Sequence, residues 1–282
     1  MNRGRTLSLS FPPFTKAVKW LILINAGVYL LLELLKAVLP DLGNILYLLV
    51  LPLIPEMVTH GWLWQVVTYS FLHAGLWHLL GNMLGLWMFG SQFEMDWGLK
   101  KFLEFYFFCV IGAALTTIVV SYTGVGGVTS QTPTVGASGG VFGILAAFGL
   151  LYGDREIFLF PLPFSMKARY FVAGWAFITL VSAISASGGG HGGGIAYMAH
   201  LGGLLFGVLY VKLIPSRGMM FGLTERYFGV RNSYYRWKRR RAARKFEVYM
   251  RKHDREVSFD EHGNYIPPDD KGNGGSKSGW VN

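Results

Sequence analysis

Gly136-Ala137-Ser138-Gly139-Gly140-Val141-Phe142-Gly143-Ile144-Leu145-Ala146-Ala147-Phe148-Gly149-Leu150-Leu151 is an apolar run with a single hydroxyl near its head. A second apolar run carries Ala199-His200-Leu201-Gly202-Gly203. A polar side chain in hydrocarbon is costly, so its presence there points to function. A serine with a histidine is also the smallest set that supplies a nucleophile and its general base. Together the two runs put that pair inside what reads as a membrane domain.

Composition agrees. The chain has 282 residues, 52% hydrophobic and only 15% charged, against about a quarter charged in soluble domains. Cys109 is the only cysteine, so no internal disulfide can form, and among Phe107 and Phe108 it reads as a small buried hydrophobe. The net charge of +10 would suggest nucleic acid if it were spread evenly. It is instead concentrated in loops and in the C-terminal segment.

Six segments approach the length needed to cross a bilayer: 17–38, 77–94, 101–121, 137–152, 168–186 and 196–214. Arg3, Arg5, Lys16 and Lys19 precede or open the first; Lys100 and Lys101 lie between the second and third; Arg155, Lys167 and Arg169 lie between the fourth and fifth. The alternate loops, 39–76, 122–136 and 187–195, contain no Lys or Arg. The positive-inside rule then puts both termini in the cytoplasm and makes the chain a multi-pass protein of the cell (cytoplasmic or inner) membrane. The first apolar run is too long for a cleaved signal peptide, and no small-residue cleavage site follows it.

The fourth segment spans only about 24 Å at helical rise against a hydrocarbon core of about 30 Å. Its outer end is therefore expected below the surface, with Ser138 at the floor of a wet cavity open to the outside. The Gly-, Ser- and Thr-rich stretch 122–135 before it carries no helical signal, and irregular backbone at that depth must line protein or water. Gly139, Gly143 and Ala147 on this segment and Gly203 and Gly207 on the sixth form small-residue ladders that let helices approach closely. Ladders of this kind are also ordinary packing, but here packing would itself bring base to nucleophile. His78 and Asn82, one turn apart on the second segment, share a helix face. They read either as interfacial and interhelical polar residues or as donors to a developing oxyanion, beside the backbone N–H of Ser138.

Rival membrane chemistries lack their residues. No histidine pair at i, i+4 with an adjacent glutamate occurs among His60, His73, His78, His191 and His200, which removes the metalloprotease pattern. Asp154, beside Arg155 and Glu156, falls in a cytoplasmic loop rather than in a span as an aspartyl pair requires. Glu104 is left as a packing or interface residue, and His191 as a loop residue in a glycine run. No metal or organic cofactor is implied.

Three motifs in this order resemble those of rhomboid intramembrane serine proteases: His78-Leu79-Leu80-Gly81-Asn82-Met83, Gly136-Ala137-Ser138-Gly139, and Ala199-His200-Leu201-Gly202-Gly203 with Gly207. The resemblance covers about residues 15–214. It implies an all-α six-helix membrane domain with a half-submerged external loop between the first two helices, and a catalytic Ser138–His200 dyad without a third, acidic member. It also implies an oxyanion hole from Ser138, His78 and Asn82, with Gly136, Gly139, Phe142, Gly203 and Gly207 packing the dyad. Substrates of such enzymes are transmembrane proteins cut within or near their spans. Two positions depart from the family: Trp64-Gln65 stands where Trp-Arg is usual, which bears on the loop, and Phe142 stands where a tyrosine often lies under the base. A chaperone-like or adaptor protein that binds transmembrane helices without cutting them is the alternative reading of the same spans.

The expected organisation is a cytoplasmic segment 1–14, a membrane domain 15–215, a basic amphipathic cytoplasmic segment 216–258 and a disordered tail 259–282. From Tyr234 to Val257, Lys238, Arg239, Arg240, Arg241, Arg244 and Lys245 alternate with Tyr235, Ala242, Phe246 and Tyr249 at helical spacing. A surface helix attracted to anionic lipid fits this better than a nucleic-acid module, since no nucleic-acid-binding motif accompanies the charge.

Overall fold

The structure, a computed structural model, describes residues 12–125, 129–158, 165–186, 194–214, 219–253, 257–261 and 264–266. The chain divides into two compact units, Met1–Ser216 and Arg217–Asn282.

The first unit is almost wholly helical. In chain order it holds α1 (Lys16–Val38), α2 (Pro40–Ile45), a π-helical turn (Leu46–Val50), α3 (Pro55–Thr59), α4 (Gln65–Thr68), a 3-10 turn (Tyr69–Phe71) and α5 (Leu76–Gly85). A second π turn (Leu86–Gly90), α6 (Ser91–Trp97), α7 (Leu99–Ser121) and α8 (Ser138–Leu151) follow. The hairpin β1 (Glu156–Phe158) and β2 (Ser165–Lys167) is antiparallel, and α9 (Ala168–Ala186) and α10 (Gly194–Leu213) complete the unit. Every apolar segment read from the sequence is helical, with the second divided into α5, a π turn and α6. The helices α1, α7 and the 168–185 stretch of α9 are long and apolar enough to cross a membrane, while α8 and 197–213 are shorter apolar helices. The run Gly188 to Gly193, with His191, lies outside the described residues.

Packing centres on α8, which lies against α7, α9 and α10 and is buried at every position from Ser138 to Phe148. Glycine makes this possible. A Cβ on Gly203 would collide with the Gly139 carbonyl oxygen, and one on Gly207 with that of Gly143, so α8 and α10 touch backbone to backbone as small residues allow. Buried aromatics cluster around Phe105, with Phe93 and Tyr210 against its ring and Phe102 close by in the same core. Glu104 is accounted for there, accepting a 2.9 Å hydrogen bond from the Tyr210 hydroxyl. Buried Glu94 receives the backbone N–H groups of Ala17 (2.7 Å) and Val18 (3.0 Å). It thereby satisfies donors that the first turn of α1 cannot pair internally.

Between α1 and α5 the loop is held by a neutral amide. Buried Gln65 accepts the Ile54 N–H (3.0 Å) and donates to the carbonyls of Leu49 (2.8 Å) and Val50 (3.4 Å). Trp64 and Thr68 add bonds to Val50 and Leu51. The loop anchoring at this position therefore needs no arginine.

The second unit holds α11 (Met219–Arg251) and a two-stranded hairpin, β3 (Ser258–Phe259) and β4 (Tyr265–Ile266). α11 falls within the basic segment 216–258 read from the sequence, and the hairpin reaches into the first residues of the stretch expected from 259 to be disordered. There Phe246 packs edge-on against Phe259 (6.2 Å), which in turn meets Tyr265 (6.1 Å). Residues 267–282 lie outside the described residues.

Candidate active site

Ser138 is the first residue of α8, and no side chain caps that helix. The leading N–H groups of a helix have no partner inside it, so this buried end presents donors and the positive end of the helix dipole beside the Ser138 hydroxyl. Gly136 precedes it with φ +128, and its N–H donates to the Tyr69 carbonyl at 2.9 Å. A Cβ at Gly136 would lie 2.8 Å from both Cε1 and Nε2 of His78 and 3.5 Å from Ser138 Oγ. Conformation and crowding both demand glycine there, and the same numbers bring His78 and Ser138 to one spot.

The protonation of His78 follows from its neighbours. Ala74 N–H donates to His78 Nδ1 at 3.3 Å, and a neutral imidazole that accepts at Nδ1 carries its proton on Nε2. The nitrogen facing Gly136 is thus a donor. Asn82 spends one amide hydrogen on the His78 carbonyl, 2.8 Å away on its own helix. Its second has no protein acceptor among the described residues.

His200 lies flat on Phe142, with ring centroids 4.1 Å apart and an 8° interplanar angle. Phe142 follows Ser138 by one turn and so shares its helix face. Tyr197 meets the His200 ring edge-on at 6.1 Å, and Trp175 meets Phe142 edge-on at 6.3 Å. Stacking without a phenolic hydroxyl therefore sets the plane of the imidazole. Ala199 and Gly139 are neighbours across the helix contact, which puts residues 200 and 138 at the same level. Among the described residues no hydrogen bond joins Ser138 to His200. Such bonds often tighten only when substrate is bound.

Sequence reasoning passed over His73, which it weighed only as a metal ligand. The residue is buried, and its ring meets His78 edge-on at 5.1 Å. Neither ring nitrogen has a hydrogen-bond partner of good geometry. Burial pushes its pKa down to about 4, helped by the His78 imidazole and partly opposed by the Phe71 backbone. The spacing His73–His78–Asn82 was the available signal. Among the described residues no group of three or more His, Cys, Asp or Glu could hold a metal ion.

Residues 60–217 match the rhomboid domain family, a stretch that includes His78, Asn82, Ser138 and His200. The chain is 32% identical over 149 residues to Rhomboid protein 1, mitochondrial, of Saccharomyces cerevisiae, covering 52% of this chain and 40% of that protein. It is 36% identical over 107 residues to Rhomboid protease GluP of Bacillus subtilis, covering 37% of this chain and 19% of that one. It is 30% identical over 155 residues to the human Presenilin-associated rhomboid-like protein, mitochondrial, covering 50% and 35%. The matched stretch thus spans less than half the length of each relative.

Proposed function

The chain belongs to the rhomboid family of multi-pass membrane proteins, and on that premise we propose that it is an intramembrane serine endopeptidase that cleaves transmembrane proteins within or near their spans. The observation that carries the reading is the convergence at the head of α8: a hydroxyl at an uncapped helix N-terminus, His78 Nε2 beside it, and an imidazole stacked one turn away on Phe142. In this reading His200 accepts the Ser138 proton as Oγ attacks the substrate carbonyl carbon. The developing oxyanion is held by the Ser138 N–H, His78 Nε2–H and Asn82. Collapse breaks the C–N bond, and His200 returns its proton to the leaving amine. Water, deprotonated by the same imidazole, then resolves the acyl-enzyme and frees Ser138. In this reading Gly139, Gly203 and Gly207 let α8 and α10 approach closely enough for base to reach nucleophile, and Gly136 leaves room for the His78 ring.

The site opens away from the cytoplasm if both termini are cytoplasmic, an orientation that rests on the Lys and Arg distribution. The spans 15–215 form the catalytic domain, lipid surrounds them, and the basic segment after them adds attraction to anionic lipid. The test is fluorophosphonate labelling of the detergent-solubilised chain together with cleavage of a membrane-embedded reporter. Ser138→Ala and His200→Ala should each remove both signals, because members of such a unit cost about as much singly as together, on the order of 10⁶-fold in soluble enzymes. A folded chain that binds reporter without labelling or cutting would instead be the non-catalytic adaptor.

A further inference from the structure

The second unit contains a surface that catalysis does not use. Between 231 and 252 there are ten Lys and Arg residues and one acid, Glu247, which pairs with Arg251 at 3.7 Å. Trp237, Arg241, Arg244, Lys245 and Val248 line an open groove along α11. These positions recur at three- and four-residue intervals and so form one face. The Arg241 guanidinium stands 5.4 Å over the Trp237 ring, and Trp237 also stacks on Tyr234 at 6.1 Å. On another face of the helix Ala243 is buried, and Phe246, still about half-exposed, gives one side of its ring to Phe259 of the hairpin.

We propose that this Trp237–Val248 groove docks on the phosphate-bearing headgroups of anionic membrane lipid, with the hairpin retaining the Phe246 face. The proposal rests on the reading of the basic segment as a lipid-binding element and changes its mode from insertion of an apolar stripe to charge-led contact. Three arguments select lipid as the occupant. The charge is complementary, at about 1 kcal/mol for each basic side chain near an anionic surface. Trp and Tyr beside Arg are the residues that settle at headgroup depth, where their rings are half in hydrocarbon and half in water. Finally, only residues 214–218 separate α10 from α11, so the membrane is always present at high effective concentration, an advantage no diffusing polyanion has.

The test is hydrogen–deuterium exchange across 231–253 of the full chain in nanodiscs of phosphatidylcholine alone or with phosphatidylglycerol. Exchange should slow in the anionic discs and return to the neutral-disc rate in high salt. The triple variant Arg241→Gln, Arg244→Gln, Lys245→Gln should weaken docking by on the order of 10²-fold and so abolish the difference. Phe246→Ser should retain it. If Phe246→Ser abolishes protection while the triple variant keeps it, the segment binds lipid by its apolar face: the lipid reading stands and the groove proposal falls. No protection in anionic discs by the parent chain defeats both. Protection by a single-stranded RNA in neutral discs, without protection by phosphatidylglycerol, would make the groove a nucleic-acid surface and overturn the proposal. Fluorophosphonate labelling of Ser138, followed in parallel, should not change in either variant.

Discussion

α1 and α8 are both strongly apolar helices, yet in α1 only Ala17, Val18, Leu21, Asn25 and Leu32 are buried, whereas in α8 the whole stretch Ser138–Phe148 is. In water, hydrophobicity sorts residues into the core. In a bilayer it does not, because lipid tails are as apolar as leucine; close approach does the sorting. α1 shows Trp20, Leu23, Ile24, Leu30, Leu31 and Leu34 outward. α8 carries Gly139, Gly140 and Gly143, whose missing side chains leave room for Ala113, Tyr106 and Cys109 of α7. The lesson is that the buried polar atoms of a membrane domain are to be sought where glycine is dense.

The contrast can be broken most severely at the head of α8, where the proposed active site lies. With His78 Nε2 and Ser138 Oγ both crowding Gly136, and one amide hydrogen of Asn82 without a protein acceptor among the described residues, His78→Ala and Asn82→Ala should slow reporter cleavage by on the order of 10²–10³ each. Labelling of Ser138 should survive, since nucleophile and base remain. Parent-level turnover by both variants would move the oxyanion hole elsewhere.

A second test exchanges the packing rules of the two helices. Gly203→Val drives two methyl groups at the Gly139 carbonyl and should lower stability by about 3 kcal/mol, at the upper end for overpacking. Leu31→Ala, on the exposed face of α1, should stay within about 0.5 kcal/mol. Thermal melting in detergent separates the two. Equal shifts would mean that the α8–α10 contact has slack that its backbone distances deny.

Much of this was legible in the sequence because the signals were local. Apolar run lengths located the helices, and Ser138, Phe142 and His200 belonged to short motifs that the fold brings within a turn of one another. What escaped were contacts between residues far apart in the chain. Gln65 anchors carbonyls at 49 and 50, Glu94 caps a helix begun at Lys16, and Phe259 claims Phe246. Periodicity says which face of a helix is apolar, but not whether lipid or protein meets it. Phe246 on α11 illustrates this, since one side of its ring meets Phe259 while about half of the residue stays exposed.

The smallest effect concerns the mouth of the site, where polar burial lacks the glycine packing of α8. His73 is buried in the loop before α5, with the His78 ring against it and the Tyr47 hydroxyl on its carbonyl at 3.4 Å. Its pKa is lowered from the model-peptide value of 6.5 to about 4. A lowered histidine favours the native state while neutral in both states, so nothing is lost well above pH 6.5. As pH falls from there toward 4, the unfolded chain takes up a proton that the native chain refuses, and stability drops. Between pH 7 and pH 5 the loss amounts to about 2 kcal/mol. His73→Phe keeps a ring edge against His78 and removes the titration, so its melting temperature should fall less than the parent's over the same interval. The difference should vanish when both are compared at pH 7.5 and above, where neither state binds the proton. Parallel pH profiles for parent and variant would show that another group in the native state governs the acid limb, and that His73 is hydrated rather than sealed.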